Sequence, residues 1–248
     1  SSAASDVYKR QILFMIKGKK TVSRKKAIFL GDSITMGYGL EDQTKRYSSI
    51  FCKMADCEEI NYGITGTLIA RAGVSVPDNA AFIDRYEKMQ EGDLVVIFGG
   101  ANDYWWSDTP IGDENSKDAA NFHCALRYLC QGLKTKYSGI PVMFVIPYQH
   151  RGYGNFYGGR DFMDACFHDT NAQNYMGNTL KTYCDLIRSI CSRYDIPALD
   201  LFYNSGMDIP GSDEDAAKYT LDGCHPSAEG HNLLAQKLYD FVQKNNMF

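Results

Sequence analysis

Short apolar runs alternate with longer stretches of helical periodicity along most of the chain. Strand-like runs occupy residues 27–30, 94–98, 142–146 and 198–201, and a weaker run occupies 59–62. Nearly continuous apolar character is typical of strands that are covered on both faces, as in a parallel sheet between two layers of helices. The pattern therefore predicts a set of short, central, mainly parallel strands.

Helical periodicity fills the intervals between these runs. Apolar residues recur at spacings of three and four, which places them on one face of a helix. The predicted faces consist of Leu126, Leu129, Cys130 and Leu133; of Leu180, Cys184, Ile187 and Cys191; and of Leu234, Leu238, Phe241 and Val242. Alternating strands and helices predict an α/β fold, namely a three-layer α/β/α sandwich around a central five-stranded sheet.

The length and net charge of the chain limit the kinds of molecule that it is expected to bind. The chain has 248 residues, of which 44% are hydrophobic and 23% charged, and this is ordinary for one globular domain. The net charge of -4 gives no electrostatic reason to bind nucleic acid or an anionic membrane. No apolar stretch approaches the roughly 20 residues that a membrane-spanning helix needs. We therefore expect a soluble protein with no nucleic-acid partner and no membrane span.

The beginning of the chain differs from the rest. Residues 1–24 show no pattern that would join them to a core, and residues 1–11 resemble translated adaptor sequence. We expect residues 1–24 to form a leader outside the core and residues 25–248 to form the domain. The apolar run at 12–16 is too short for the core of a signal peptide, so a cytoplasmic location is favoured unless the native N-terminus lies further upstream.

The chain contains eight cysteines, but a domain of this size does not need disulfides to hold its core. We expect reduced thiols, with Cys124, Cys130, Cys184 and Cys191 acting as small core residues. Neither a Cys-x-x-Cys nor a His-Glu-x-x-His spacing occurs. The sequence therefore predicts no metal site and no cofactor.

Glycine-rich polar segments stand where three of the predicted strands end. Ser33 lies in Gly-Asp-Ser-Ile-Thr after the first run, Gly66 ends the segment Asn-Tyr-Gly-Ile-Thr-Gly, and Asn102 lies in Gly-Gly-Ala-Asn-Asp. Ligands bind at the carboxyl ends of the strands in open parallel sheets. We therefore expect Ser33, Gly66 and Asn102 to lie close together at one edge of the sheet.

A fourth segment, Asp-Gly-Cys-His-Pro, precedes the last predicted helix and contains Asp222 and His225. A spacing of three residues lets both side chains turn toward one pocket. A serine hydroxyl is a weak nucleophile until an imidazole removes its proton, and an acid orients that imidazole. Ser33, His225 and Asp222 can fill these roles.

Attack on an ester carbonyl creates an oxyanion that needs hydrogen-bond donors already in place. The backbone N–H groups of Ser33 and Gly66 and the side-chain amide of Asn102 are candidates for this oxyanion hole. Simpler roles exist as well, because Gly66 can serve a turn that requires positive φ and Asn102 can cap the next helix. Asp32 is expected to order the turn that carries Ser33.

Together the four segments resemble the conserved blocks of the SGNH hydrolases, also called the GDSL esterase/lipase family. Ser33, Gly66, Asn102 and His225 match the four residues for which the family is named, and Asp222 matches its triad acid. The resemblance extends from about residue 25 to the C-terminus and implies a flavodoxin-like fold and a carboxylic ester hydrolase. The chain lacks the Gly-x-Ser-x-Gly elbow of the common α/β-hydrolases, and it has isoleucine where the family usually has leucine after the serine.

Aromatic residues near these segments are candidates for substrate binding. Tyr104 and Trp105 follow Asn102 closely, and Tyr148 and Tyr153 belong to the long loop-like stretch at 147–173. Aromatic faces interleaved with polar groups suit sugar rings, so these residues are interpreted as walls of a substrate pocket. The alternative is that they only pack the long loop onto the domain.

The predicted function is therefore that of a serine esterase that cleaves small acyl esters through an acyl-enzyme intermediate. A short-chain or carbohydrate O-acetyl esterase that acts on a small-molecule or glycan ester is favoured. A lysophospholipase- or thioesterase-type lipid hydrolase and an acyltransferase with the same triad are the alternatives. The complete set of site residues argues against a catalytically dead binding module.

Overall fold

Five parallel strands form the centre of the fold. The computed structural model describes residues 24–72, 80–105, 109–151 and 172–248. The strands are β1 (Lys26–Gly31), β2 (Glu58–Gly63), β3 (Leu94–Phe98), β4 (Val142–Ile146) and β5 (Ala198–Asp200). They lie in the order β2-β1-β3-β4-β5, and every neighbouring pair is parallel. All five carboxyl ends therefore lie at the same edge of the sheet.

Helices connect and cover these strands. In the described residues they are α1 (Ser33–Met36), α2 (Tyr47–Met54), α3 (Phe82–Arg85), α4 (Ala101–Trp105), α5 (Phe122–Lys136), α6 (Leu180–Arg193), α7 (Leu201–Asn204), α8 (Asp213–Tyr219) and α9 (Ala228–Lys244). Local sequence fixes where several of them begin. Thr179 caps α6 by accepting a hydrogen bond from the Thr182 N–H, and Ser227 caps α9 by accepting one from the Gly230 N–H.

The alternation of side chains along the strands produces two hydrophobic layers. Ile28 and Leu30 of β1 point to one face of the sheet, where they pack with buried residues of α3, α5 and α6. Ala27 and Phe29 point to the other face, where they pack with α2 and α9. The predicted three-layer α/β/α sandwich is confirmed.

All five predicted strands are present, and the sheet is parallel throughout. The bounds predicted for β3 and β4 agree with the structure, whereas β2 extends beyond the weak apolar run from which it was predicted. The last helix begins at Ala228, because Ser227 is its N-cap and Pro226 precedes the helix. None of the described helices is both long and apolar enough to cross a membrane.

The described cysteines carry free thiols. Cys130, Cys184 and Cys191 are buried in the layer formed by α5 and α6, as predicted. Cys124 is only half-buried, because it lies beside the apolar stripe of α5 rather than on it. Of the predicted leader only Arg24 is described, and its Nη2 donates a hydrogen bond to the Cys57 carbonyl at 3.1 Å.

Candidate active site

The turn after β1 presents Ser33 at the start of a short helix. Asp32 is the N-cap of α1, and its Oδ1 accepts a hydrogen bond from the Ile34 N–H at 3.0 Å. A Cβ at Gly31 would lie 1.9 Å from Thr35 Oγ1, so the close approach of this turn to α1 requires glycine. Ser33 is therefore held at the carboxyl edge of the sheet, with 7% of its surface exposed.

The loop before α9 brings His225 and Asp222 to this serine. His225 Nε2 lies 2.9 Å from Ser33 Oγ, and His225 Nδ1 lies 2.7 Å from Asp222 Oδ2. Asp222 Oδ1 also accepts the backbone N–H groups of Cys224 at 3.0 Å and of His225 at 2.7 Å. The carboxylate thus folds the loop back on itself, as aspartate does in tight turns. A continuous chain of hydrogen bonds joins the three predicted triad residues.

The partners of His225 fix its tautomer. A carboxylate can only accept, so Nδ1 carries the hydrogen and Nε2 is left as the acceptor for the Ser33 hydroxyl. Burial raises the pKa of Asp222, but hydrogen bonds from the His225 ring and from two backbone N–H groups outweigh this effect and hold the pKa below its usual value. Asp222 is therefore ionised at neutral pH, and its bond to Nδ1 holds the imidazole with Nε2 toward Ser33 Oγ.

The loop after β2 lies directly beside the nucleophile turn, which is the turn after β1 that carries Ser33. The Ile64 N–H donates to the Gly31 carbonyl at 3.1 Å, and Thr65 Oγ1 donates to Met36 Sδ at 3.0 Å. This loop contains Gly66, whose φ of 73° lies in the left-handed region that glycine adopts most readily. The turn role foreseen for Gly66 is present, and the same loop places this residue near Ser33.

Asn102 is joined to that loop through its side chain. Its Nδ2 donates to the Thr67 carbonyl at 3.1 Å. Because an amide nitrogen carries two hydrogens, one remains for a second acceptor such as an oxyanion. Asn102 lies within α4 rather than before it, so the capping alternative does not describe its position.

A buried arginine that sequence reasoning missed ties the two loops together. The Arg85 guanidinium of α3 donates to four oxygens: the carbonyls of Gly31, Tyr62 and Ala80 and the Thr67 hydroxyl. Burial lowers the pKa of Arg85 to about 10, which leaves it cationic at neutral pH. One side chain thus fixes the end of β1, the end of β2 and the residue after Gly66.

We expect Arg85→Met to lower the free energy of unfolding by about 3 kcal/mol or more, because it leaves several buried oxygens without their charged donor. Urea denaturation followed by circular dichroism measures the change. Arg71→Met is the matched control, since Arg71 pairs with Asp84 at the surface and such pairs contribute less than about 1 kcal/mol. Equal losses in both variants would show that Arg85 does not hold the loops.

Two buried carboxylates support the same region. Asp103 accepts the backbone N–H groups of Ile69 at 2.9 Å and Ala70 at 3.0 Å, which fixes the chain that follows the Gly66 turn. Burial raises the pKa of Asp103 to about 7 and that of Asp32 to about 6, although backbone N–H donors oppose both shifts. Asp32 orders the nucleophile turn, as predicted, through its bond to the α1 backbone.

The predicted pocket aromatics next to Asn102 are buried. The Tyr104 hydroxyl donates to the Ala172 carbonyl at 2.7 Å, and Trp105 Nε1 donates to His150 Nε2 at 2.9 Å. Burial lowers the pKa of His150 to about 4, so its ring is a neutral core group. These contacts favour the packing alternative for Tyr104 and Trp105.

Tyr148 is also buried, and its hydroxyl donates to the Cys224 carbonyl, between the two loop residues of the triad. The Arg151 N–H donates to the carbonyl of the preceding residue, Gly223, at 2.9 Å. Tyr148 therefore supports the loop that carries Asp222 and His225 instead of lining an open wall. Tyr153 lies outside the described residues.

In the part of the chain that the structure describes, no group of three or more His, Cys, Asp or Glu side chains is placed to hold a metal ion. The site brings together a hydroxyl, an imidazole, a carboxylate and neutral hydrogen-bond donors. These groups suit acyl transfer through a serine.

Comparison with known protein families agrees with a site for acyl transfer. A model of the GDSL-like lipase/acylhydrolase family matches residues 29–233, a range that contains all the site residues described above. No curated protein matches the chain.

Several solved structures share the fold. A protein from Lactobacillus plantarum is 32% identical, with a TM-score of 0.74 over 90% of this chain and 98% of that one. A member of the lipolytic protein G-D-S-L family from Veillonella parvula is 14% identical, with a TM-score of 0.56 over 88% of this chain and 98% of that one. A carbohydrate acetylesterase family member from Sinorhizobium meliloti is 18% identical, with a TM-score of 0.56 over 89% and 98%. The chain thus belongs to the GDSL-like lipase/acylhydrolase family, the SGNH hydrolases, and is a hydrolase of ester bonds.

Proposed function

We propose that this hydrolase is a serine esterase that removes short acyl groups, with O-acetyl groups on carbohydrates as the leading substrate class. The observation that carries the proposal is the hydrogen-bond chain from Ser33 Oγ through His225 to Asp222, with distances of 2.9 Å and 2.7 Å. This order of groups converts a hydroxyl into a nucleophile at neutral pH.

The reaction has two halves. In the first, the Ser33 proton moves to His225 Nε2, Oγ bonds to the acyl carbon, and the ester C–O bond breaks as Nε2 returns the proton to the departing alcohol oxygen. In the second, His225 Nε2 takes a proton from water, the water oxygen bonds to the acyl carbon, and the bond from that carbon to Ser33 Oγ breaks as Nε2 returns the proton to Oγ, which releases the acid. The carbonyl oxygen becomes negative in both halves, and the N–H groups of Ser33 and Gly66 with the Asn102 amide stabilise it.

A comparison supports the carbohydrate class. The relative from Sinorhizobium meliloti is a carbohydrate acetylesterase family member. A lipid ester is the second candidate, because Met36, the last residue of α1, and Leu221, which precedes Asp222, expose 42% and 51% of their surfaces. Exposed apolar groups of this kind suit an acyl chain as well as an apolar alcohol.

Hydrolysis of p-nitrophenyl acetate, butyrate and octanoate, together with an acetylated pyranoside, tests the proposal. The proposal predicts the highest kcat/KM on acetate and release of acetate from the sugar. A preference for octanoate would assign the protein to lipid esters. Products acylated on an added alcohol, formed in place of free acid, would assign it to acyl transfer.

We expect Asn102→Ala to lower kcat by about 100- to 1,000-fold with little change in KM, because a donor to the oxyanion acts mainly in the transition state. Steady-state kinetics on p-nitrophenyl acetate measures both constants. Asn121→Ala is a suitable control, since Asn121 binds the Ser116 hydroxyl in another loop, and it is expected to leave kcat unchanged. An unchanged kcat in Asn102→Ala would remove Asn102 from the oxyanion hole.

A further inference from the structure

An exposed aromatic ring lies against the imidazole of the site. The ring centroids of Tyr38 and His225 are 4.5 Å apart at an angle of 44°. Tyr38 exposes 37% of its surface, whereas His225 exposes 5%. The tyrosine is thus a solvent-facing neighbour of a nearly buried histidine.

The backbone fixes this ring relative to the nucleophile. The Tyr38 N–H donates to the Ser33 carbonyl at 2.9 Å, directly after the left-handed turn at Gly37 that ends α1. A short turn therefore fixes the backbone of Tyr38 relative to Ser33, and the ring lies against the loop that carries His225.

A second apolar side chain extends this surface. Leu221, which precedes the triad acid, packs over Gly39, since a Cβ at Gly39 would lie 2.6 Å from Leu221 Cδ1. Its N–H donates to the His225 carbonyl at 2.8 Å. Leu221 therefore adds a second exposed side chain next to Gly39, the residue that follows Tyr38.

The chemistry of the proposed reaction places the alcohol on this side. The imidazole returns the proton to the alcohol oxygen, so the alcohol must leave from a position next to His225 Nε2. The carbonyl oxygen points instead toward Gly66 and Asn102. The alcohol part of the ester thus passes beside Tyr38, whereas the acyl part does not need to contact it.

We propose that Tyr38 is a specificity-determining residue that binds the alcohol part of the substrate by offering a flat face to a pyranose ring. A sugar stacks its C–H face on an aromatic ring while its hydroxyls remain at the edge, in water or in hydrogen bonds. This inference rests on the proposed esterase function and deepens it, since it assigns the ring-binding surface to the leaving group.

Two acetates that differ only in the alcohol test the inference: a mono-O-acetylated methyl pyranoside and ethyl acetate. We expect Tyr38→Ala to lower kcat/KM on the pyranoside by about tenfold, which corresponds to about 1.4 kcal/mol, and on ethyl acetate by less than about twofold. Tyr38→Phe is expected to keep the activity on both, because the face of the ring is retained. Hydrolysis of the shared acetyl-enzyme is expected to be unchanged.

Tyr128→Ala is the matched control, because this tyrosine of α5 is similarly exposed but packs against Tyr86, away from the site. Tyr128→Ala is expected to leave kcat/KM unchanged on both substrates. Equal losses on both acetates in Tyr38→Ala, or a slower hydrolysis of the acetyl-enzyme, would overturn the inference and show that Tyr38 only supports His225. A wild-type protein that is inert on every acetate would overturn the proposed esterase function and this inference with it. That failure is seen in the wild type alone, whereas a failure of the inference alone is seen in Tyr38→Ala of an active enzyme.

Discussion

Ser33→Ala is expected to lower kcat on p-nitrophenyl acetate by about 1,000-fold or more while the protein remains folded. The hydroxyl is the protein group that bonds to the acyl carbon in the proposed mechanism, and without it no acyl-enzyme can form. The side chain contributes one hydrogen bond at 2.9 Å and little packing. The free energy of unfolding should therefore change by no more than about 1 kcal/mol.

Ser205→Ala is the matched control. Ser205 is equally buried, and its hydroxyl donates to the Met207 carbonyl at 3.0 Å. This variant removes a buried hydroxyl of the same kind and is expected to retain wild-type turnover. Activity above about 1% in folded Ser33→Ala would mean that another group attacks the ester.

Asp222→Asn is expected to lower kcat by about 1,000- to 10,000-fold at pH 7. An amide in place of the carboxylate can turn its NH₂ group toward His225 Nδ1, which would then have to accept and would leave the hydrogen on Nε2. That tautomer cannot remove the serine proton. Because the pKa of Asp222 is already below its usual value, the wild type keeps this carboxylate ionised well into mildly acidic solution.

Steady-state kinetics between pH 5 and pH 9 measures this loss. We expect Asp222→Asn to stay impaired at every pH in this range, because the amide offers the same hydrogen-bond donor to Nδ1 throughout. Asp240→Asn is the control, since this exposed acid of α9 only accepts from Gln236 at 2.8 Å. A kcat for Asp222→Asn within about tenfold of the wild type would assign the orientation of His225 to another group.

The position of the site could be predicted because parallel sheets collect their loops at one edge. Ser33, Gly66 and Asn102 each follow a strand, and the order β2-β1-β3 makes those strands neighbours. The bounds of β3 and β4 were clear because both strands are buried on both faces. The apolar pattern that predicts β2 was weaker, because β2 is an edge strand with polar residues. One of them is Glu59, which pairs with Arg46 at 2.9 Å.

The supporting residues could not be predicted in the same way. Arg85 reaches Gly31 across 54 positions of the chain, and no spacing in the sequence indicates that contact. The aromatic positions at 104 and 148 have a pattern that fits either a pocket wall or an interior. Only the fold shows that the hydroxyls of Tyr104 and Tyr148 donate hydrogen bonds to backbone carbonyls. Tyr38 was missed because nothing in its own segment shows that His225 would lie beside it.

Covalent trapping tests whether Ser33 is the activated nucleophile of this protein. The protein is incubated with a fluorophosphonate, which phosphonylates activated serines, and is then examined by intact mass and peptide mapping. We expect one adduct per chain, located on Ser33, that forms in step with the loss of esterase activity and forms much more slowly in Asp222→Asn. Complete inactivation with Ser33 unmodified, or full activity after Ser33 is modified, would contradict it.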